Sequence, residues 1–209
     1  MSEAARPAAW TWDQYLDWES RQPIRHELID GQVYAMTGGT AAHDTIGNNL
    51  RFLLRTHLHG NPCRPQGPDF KIKAGPNGRY PDAFIDCGPF DPNALVAAEP
   101  VAVFEVLSKT TEWFDLALKL RDYDAVPSIR FYAVISQDKP RIIVYTRDEN
   151  HRLGPQTIHL TEGLDAAIEL PDFNITLPVS ALYEGLAFAR DAGAPRPPSA
   201  SSEPPRPLC

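Results

Sequence analysis

The sequence predicts an α/β fold, with α and β elements mixed, in which helices flank a central mixed β-sheet. Three observations support this prediction. Residues 42–59 have the apolar spacing of an amphipathic helix, residues 101–107 form an apolar run suited to a strand buried on both faces, and residues 129–135 and 141–145 form two β-rich runs. With 209 residues, the chain is long enough for one domain with a sizeable core and too short for two.

The first predicted elements are a short helix and a hairpin. Residues 11–14 have the form of a capping box, and the apolar residues after them predict an amphipathic helix that ends near residues 19–21. Asp30-Gly31 suits the positive φ values of a tight two-residue turn. Residues 26–29 and 32–36 are therefore predicted as the two strands of this hairpin.

The remaining segments complete the sheet and its helices. Gly60 ends the long helix, and Pro127 ends a second helix that Thr110 or Thr111 caps and that runs to about Ala125. The further predicted elements are strands at 70–73 and 83–86, a loop at 75–78 between them, short strands near Ile158 and Ile168, and a last helix after Pro178.

Residues 1–190 are predicted to form this domain, and residues 191–209 to form a disordered tail. The tail contains six prolines and few apolar residues, so it cannot bury enough surface to offset the entropy of ordering it. The chain has no run of about 18 apolar residues, and its start lacks the basic and apolar regions of a signal peptide. We therefore expect a cytoplasmic protein that does not enter a membrane.

Cysteine content and overall charge argue against some classes of protein. Cys63, Cys87 and Cys209 are odd in number and lie outside any CxxC pattern, which indicates neither a disulfide framework nor a zinc site. Cys63 and Cys87 are interpreted as small hydrophobic residues. A formal net charge of −7 argues mildly against a protein that coats DNA through a general positive field.

One segment of the chain is locally basic. Residues 51–79 contain one acidic residue, Asp69, and six basic ones, namely Arg51, Arg55, Arg64, Lys71, Lys73 and Arg79. These side chains either face phosphates or form a solvated basic surface, and charge alone does not decide between the two. On the first interpretation, the nucleic-acid contacts include Arg51, Arg55, Lys71 and Lys73.

Three acidic residues interrupt or border segments that should be buried: Glu27, Asp82 and Glu105. Glu105 lies inside the apolar run 101–107, where an ionised carboxylate is costly unless it is paired or bound to a metal. Asp82 follows Pro81, whose ring fixes φ, so that a rigid backbone orients the carboxylate. Two carboxylates on neighbouring strands can share one hard cation such as Mg²⁺.

A lysine is the other group that this chemistry needs. Cleavage of a phosphodiester requires an activated water and neutralisation of the charge that grows on the phosphoryl oxygens. Lys119 lies in the helix that follows the Glu105 strand, and its flexible stem can reach back to the strand end. Lys109 is nearer in sequence but lies on a turn.

The order of these motifs resembles the Uma-type putative restriction endonucleases, which belong to the PD-(D/E)xK nuclease superfamily. The resemblance covers roughly residues 15–145 and implies a restriction-endonuclease-like fold. In the wider superfamily a lysine stands two residues after the second acid, but here that position is Leu107, and the Uma-type pattern places the lysine on the next helix. The matching residues are Glu27 to Gly31, His43, Tyr80 to Asp82, Val103 to Ser108, Phe114-Asp115, Lys119-Leu120, Tyr123 and Phe131 to Val134.

The resemblance also implies roles for single residues. Asp82, Glu105 and Val106 would bind a Mg²⁺ or Mn²⁺ ion, Lys119 would stabilise the transition state, and Glu27 would be an outer or second-metal carboxylate. Other interpretations stay open: Glu27 can face solvent, Asp82 can cap a turn, Glu105 can pair with a buried arginine such as Arg130, Lys119 can be exposed, and His43 can cap a helix or lie in the core.

Two functions from different classes fit these residues. The first is a metal-dependent endonuclease that cuts DNA, of the restriction or repair kind. It would be a homodimer, because cutting both strands calls for two active centres. The second is a non-catalytic nucleic-acid-binding or assembly module on the same fold, which the acidic net charge and Leu107 favour. A structural or sensing protein is a third interpretation, and metal binding separates the first two.

Overall fold

The computed structural model describes residues 9–107 and 114–188, and a six-stranded sheet lies at its centre. The helices are α1 (Trp12–Glu19), α2 (Ala41–His57), α3 (Phe114–Asp124) and α4 (Val179–Leu182). The strands are β1 (His26–Ile29), β2 (Gln32–Ala35), β3 (Arg64–Gln66), β4 (Ile72–Ala74), β5 (Asn77–Arg79), β6 (Ala83–Asp86), β7 (Pro100–Leu107), β8 (Phe131–Ser136), β9 (Arg141–Arg147), β10 (Leu153–Glu162), β11 (Ala167–Leu170) and β12 (Ile175–Pro178).

The central sheet is mixed. Its strand order is β10-β9-β8-β7-β6-β3, in which β7 and β8 are parallel and the other neighbouring pairs are antiparallel. β7 lies inside the sheet, and all of its residues except the last are buried. An apolar run of this kind suits a strand covered on both faces. The predicted central mixed sheet flanked by helices is confirmed.

Helices cover both faces of the central sheet. Successive residues of a strand point to opposite faces, and β6 shows this clearly. Ala83 and Ile85 pack with Leu50 of α2 in one core, whereas Phe84 packs with Tyr123 of α3 in a second core. Ile46, Leu50 and Leu54 are buried at four-residue steps along α2, so this helix packs one apolar stripe on the sheet.

A smaller four-stranded sheet, in the order β2-β1-β5-β4, contains the predicted hairpin. Asp30 and Gly31 connect β1 to β2 with φ values of 48° and 76°, as the turn prediction requires. The predicted loop at 75–78 is wrong in its second half, because Asn77 and Gly78 begin β5. A Cβ on Gly78 would lie 2.9 Å from the Tyr15 ring, so the glycine lets α1 pack closely on the strand.

The interpretation of Cys63 and Cys87 as small hydrophobic residues is wrong, because the two form a disulfide. β3 pairs antiparallel with β6, with Arg64 opposite Asp86. One step further along this register, Cys63 faces Cys87, and their Cα atoms are 4.1 Å apart. The pairing follows from the strand register, which their sequence separation of 24 residues does not reveal.

Several predictions fall outside the described residues. They include the cap of the second long helix at Thr110 or Thr111, the turn lysine Lys109, and the tail from residue 191. Within the described ranges, α3 runs from Phe114 to Asp124, and no helix there is long and apolar enough to cross a membrane.

Candidate active site

A cleft of about 460 Å³ brings together the charged residues that the sequence singled out. One wall is the segment from Tyr34 to Thr40, which comprises the end of β2 and the connection from β2 to α2. The cleft is also lined by Tyr80 and Asp82 just before β6, by Glu105 to Leu107 at the end of β7, and by Lys119 of α3. The acidic and basic side chains in the cleft are those of Glu27, His43, Asp82, Glu105 and Lys119.

Strand register places Asp82 next to Glu105. β6 and β7 are antiparallel with Ala83 opposite Phe104, so Asp82 faces Glu105 at the next step. Residues directly opposite each other in an antiparallel pair point to the same face of the sheet. The Asp82 carboxylate is further fixed by the backbone N–H of Val106, which donates to Oδ2 at 2.7 Å. Arg51 of α2 donates to the Asp82 carbonyl oxygen at 3.0 Å.

Glu105 is a buried carboxylate whose two oxygens are both paired. Its side chain is only 3 % exposed, and Lys119 Nζ lies 2.8 Å from Oε2. The Tyr123 hydroxyl donates to Oε1 at 2.6 Å. Burial raises the pKa of Glu105 to about 7, against the lowering effect of the Lys119 charge. A cation in the cleft would therefore favour the ionised form of Glu105.

The alternative prediction that Glu105 pairs with Arg130 is wrong. Arg130 forms an ion pair with Asp172 at 2.6 Å, and both side chains are about half exposed. Lys119 is not an exposed helix lysine either, since its side chain is 13 % exposed and faces Glu105. Both lysine and glutamate thus lie where charge compensation is strong, because little water screens them.

Glu27 is held in the cleft by a buried arginine that the sequence did not single out. Arg79 is fully buried, and its Nη1 donates to Glu27 Oε2 at 2.9 Å. The Tyr80 backbone N–H donates to Oε1 at 3.0 Å. Arg79 Nε also donates to Asp122 of α3 at 2.8 Å. Arg79 therefore ties β1, which carries Glu27, to α3, which carries Lys119.

His43 lies in the first turn of α2, beside Asp82. Its Nε2 is 3.3 Å from Asp82 Oδ1, and its backbone N–H donates to the Thr40 side chain at the helix start. The hydrogen bond with Asp82 raises the pKa of His43, although burial opposes the shift. The imidazole can thus orient the carboxylate, and its own position is fixed by the helix cap.

The basic segment is divided between the cleft, the core and the surface. Lys71 was expected to contact nucleic acid, but it is buried with Nζ 2.5 Å from Glu19, so it is not presented to a phosphate. Arg51 is partly buried and donates to the backbone carbonyl of Asp82. Arg55 is exposed on α2, and Lys73 is exposed with Nζ over the Trp12 ring.

The oxygen donors in the cleft suit a hard divalent cation. Each carboxylate oxygen accepts more than one hydrogen bond or metal bond, so the protein partners of Asp82 and Glu105 leave lone pairs for an ion. Mg²⁺ keeps several waters and takes only one or two carboxylates from a protein. The described part of the chain contains no group of three or more His, Cys, Asp or Glu side chains arranged to hold a metal.

Comparison with known proteins gives a match over most of the chain. The sequence pattern of the Uma2 family, described as putative restriction endonuclease, matches residues 12–180. The chain belongs to the Uma2 family. An uncharacterized protein of Synechocystis sp. (strain ATCC 27184 / PCC 6803 / Kazusa), slr1290, is 34 % identical over 84 % of this chain and 92 % of its own length. A second one, sll1609, is 26 % identical over 81 % of this chain and 97 % of its own.

A solved structure supports the fold of this Uma2 chain. A crystal structure from Anabaena variabilis ATCC 29413, described as a putative nuclease belonging to DUF820, superposes with a TM-score of 0.69. It is 16 % identical in sequence and covers 83 % of this chain and 97 % of that one. At this identity the likeness shows a shared fold. The predicted Uma-type resemblance and restriction-endonuclease-like architecture are confirmed, and the family supports a nuclease in general.

Sequence reasoning missed Arg79 and Tyr123 as partners of the site acids. Tyr123 appeared only as a family-pattern residue, and Arg79 only as one of six basic residues in a row. A buried arginine leaves no periodic signal in a sequence, because its partners Glu27 and Asp122 are 52 and 43 residues away. The signal that was available is its place directly before Tyr80-Pro81-Asp82.

Replacement of Arg79 by lysine is expected to lower the free energy of unfolding by about 1–3 kcal/mol. Lysine keeps the charge but lacks the planar fork that serves Glu27 and Asp122 together, so one buried carboxylate loses a hydrogen bond. Urea denaturation of wild type and Arg79→Lys measures the change. The matched control is Arg130→Lys, whose exposed pair with Asp172 contributes only about 0–1 kcal/mol. Equal losses in the two variants would contradict the buried role.

Proposed function

We propose that this Uma2 protein is a metal-dependent endonuclease that hydrolyses phosphodiester bonds of DNA. The observation that supports it best is the grouping of Asp82, Glu105 and Lys119 at one end of the β6–β7 pair. Two carboxylates and a lysine in one cleft supply the groups that phosphodiester hydrolysis needs. The match to a family of putative restriction endonucleases supports the same reaction class.

Each residue of the cleft has a proposed role. Asp82 and Glu105 would hold the ion, Mg²⁺ or Mn²⁺, together with the backbone carbonyl of Val106, which follows Glu105 in β7. When bound, the ion would lower the pKa of a water ligand and neutralise charge on the phosphate. Lys119 stabilises the charge that develops on the phosphoryl oxygens, and Glu27 acts as an outer carboxylate.

The charge balance within the cleft supports this division. In the structure Lys119 neutralises Glu105 across 2.8 Å. An ion shared by the two acids would take over that neutralisation, because a divalent charge beside a carboxylate outweighs one ammonium. The ammonium of Lys119 can then also interact with a phosphate oxygen at the same strand end. The exposed side chains of Arg55 and Lys73 are proposed to contact phosphates farther from the cleft. Lys71 is excluded from this role, because it is buried beside Glu19.

The proposal is tested by nicking of supercoiled plasmid. Wild-type protein is expected to convert plasmid to the open circular form in Mn²⁺ or Mg²⁺ and to be inactive in excess chelator. A protein carrying Asp82→Ala, purified in parallel, reports any contaminating nuclease. Absence of cleavage of DNA in both metals, with a folded protein, would contradict the proposal.

A non-catalytic binding or assembly module is the second candidate. The observation that favours it is the Lys119–Glu105 ion pair, which neutralises a buried acid without any metal. Such a module binds oligonucleotide equally well in chelator and in Mn²⁺ and cuts neither strand. The nicking assay and a parallel binding assay therefore separate the two candidates. A homodimeric state and a cytoplasmic location stay predictions for either one.

A further inference from the structure

Tyr34 is an exposed aromatic residue in the wall of the cleft. It lies on β2, which is an edge strand of the four-stranded sheet, and its residue surface is 52 % exposed. β1 and β2 are antiparallel with Tyr34 directly opposite Glu27. Opposite residues place their Cβ atoms about 4.5–5.5 Å apart on one face. Tyr34 therefore stands beside the Glu27 carboxylate, at the rim of the candidate active site.

Its position sets Tyr34 apart from the other exposed apolar side chains. Among the described residues, eight large hydrophobic side chains are strongly exposed, and Tyr34 is the one that lines this cleft. Phe52, for comparison, is 70 % exposed on α2 and does not line it. A single exposed hydrophobic residue is ordinary. One placed beside three carboxylates and a lysine faces whatever ligand those groups bind.

The charges around the cleft indicate which part of a nucleic acid Tyr34 would meet. The cleft contains three acids, Glu27, Asp82 and Glu105, against Lys119 and His43. Lys71, which was predicted to contact nucleic acid, and Arg79 of the same basic segment are both buried in ion pairs. Of the four residues predicted to contact nucleic acid, only Arg55 and Lys73 are exposed, so this segment offers few phosphate contacts along a duplex. Stacking of a base on an aromatic ring supplies affinity without cations and without regard to sequence.

We propose that Tyr34 is a stacking subsite for an unpaired nucleobase next to the phosphate that lies in the cleft. The preferred substrate is then a single strand, or a duplex interrupted by unpaired bases, because a paired and stacked base cannot offer its face to a side chain. This inference rests on the proposed nuclease function. It adds to that function a substrate class and a residue that selects it.

Fluorescence anisotropy with labelled DNA oligonucleotides tests the stacking subsite without relying on cleavage. In Ca²⁺ buffer, Tyr34→Ala is expected to bind a single-stranded oligonucleotide about tenfold more weakly than wild type, and Tyr34→Phe to bind it nearly as well. The matched control Phe52→Ala should leave affinity unchanged. Thermal melts of all variants should superpose on wild type, because both positions are exposed.

A series of oligonucleotides, each with one abasic site, identifies the stacked base. For wild type, removal of one particular base should weaken binding about as much as Tyr34→Ala does. For Tyr34→Ala, removal of the same base should have no further effect, since the two changes delete one contact. A fully paired duplex of the same sequence should show little loss in the variant.

Three outcomes would overturn the inference: unchanged affinity in Tyr34→Ala, additive losses with every abasic position, or an equal loss on the duplex. Failure of the proposed nuclease function gives a different set of results. A wild type that binds the single strand in this pattern but never cuts leaves the stacking subsite in place and removes the nuclease. If wild type cuts plasmid and Tyr34→Ala binds the single strand as tightly as wild type, the nuclease function stands and the stacking subsite is excluded.

Discussion

Asp82→Ala is expected to abolish metal-dependent cleavage and Mn²⁺ binding together. Asp82 is the more accessible of the two carboxylates proposed as metal ligands, with a side chain 16 % exposed against 3 % for Glu105. Its removal leaves Glu105 and Glu27, which Lys119 and Arg79 already neutralise. A site whose remaining acids are each paired with a cation has little attraction for a divalent ion. The loss should therefore appear in binding before any turnover is measured.

Isothermal titration calorimetry with Mn²⁺ measures the loss directly. Asp82→Asn serves as a second variant, because its side-chain oxygen still accepts the hydrogen bond from the Val106 N–H and so preserves the local backbone. Both variants should fail to bind Mn²⁺ and should melt cooperatively. Asp91→Ala, which removes an exposed acid away from the cleft, is the control and should bind like wild type. Normal Mn²⁺ binding by Asp82→Asn would exclude Asp82 as a ligand.

Much of the fold was predictable because local pattern and tertiary structure agree in most segments. The apolar run 101–107 is buried on both faces as β7, and the turn at Asp30-Gly31 has the backbone its residues favour. Disagreement occurred where packing overrides local preference. Glycine is common in turns, but Gly78 lies in β5, because the Tyr15 ring occupies the space that a side chain at this position would need.

The acidic residues of the candidate site were predictable from the sequence, but most of the residues that contact them were not. Glu105 stands out because a charge inside an apolar run needs compensation, and its position alone reveals that need. The identity of the compensating groups depends on which helix faces the strand. Tyr123 and Lys119 reach Glu105 only once α3 has packed on the sheet. The prediction that the basic segment 51–79 faces phosphates failed in part for the same reason. Lys71 and Arg79 point inward, because they contact Glu19, Glu27 and Asp122.

Lys119→Ala is expected to lower turnover by about 10²–10³, with Mn²⁺ binding retained. A cation that acts on charge developing during attack contributes in the transition state, so its loss lowers kcat more than it weakens substrate binding. In the structure the ammonium lies at the end of β7, 2.8 Å from Glu105 and on the cleft wall. Steady-state kinetics on a labelled oligonucleotide, with calorimetry for Mn²⁺, separate this role from that of a ligand.

Two comparison variants decide whether Lys119 is the catalytic cation. Lys139→Ala removes an exposed lysine from the β8–β9 turn and should change neither kcat nor metal affinity. Lys109→Ala removes the lysine that is nearest to Glu105 in sequence and that lies outside the described residues; it should cost little. Lys119→Arg keeps a positive charge but replaces a point charge by a wide fork, so it should restore only part of the rate. If Lys109→Ala is inactive while Lys119→Ala cleaves normally, the lysine on the helix is structural. Its 2.8 Å contact with Glu105 then serves only to neutralise a buried acid.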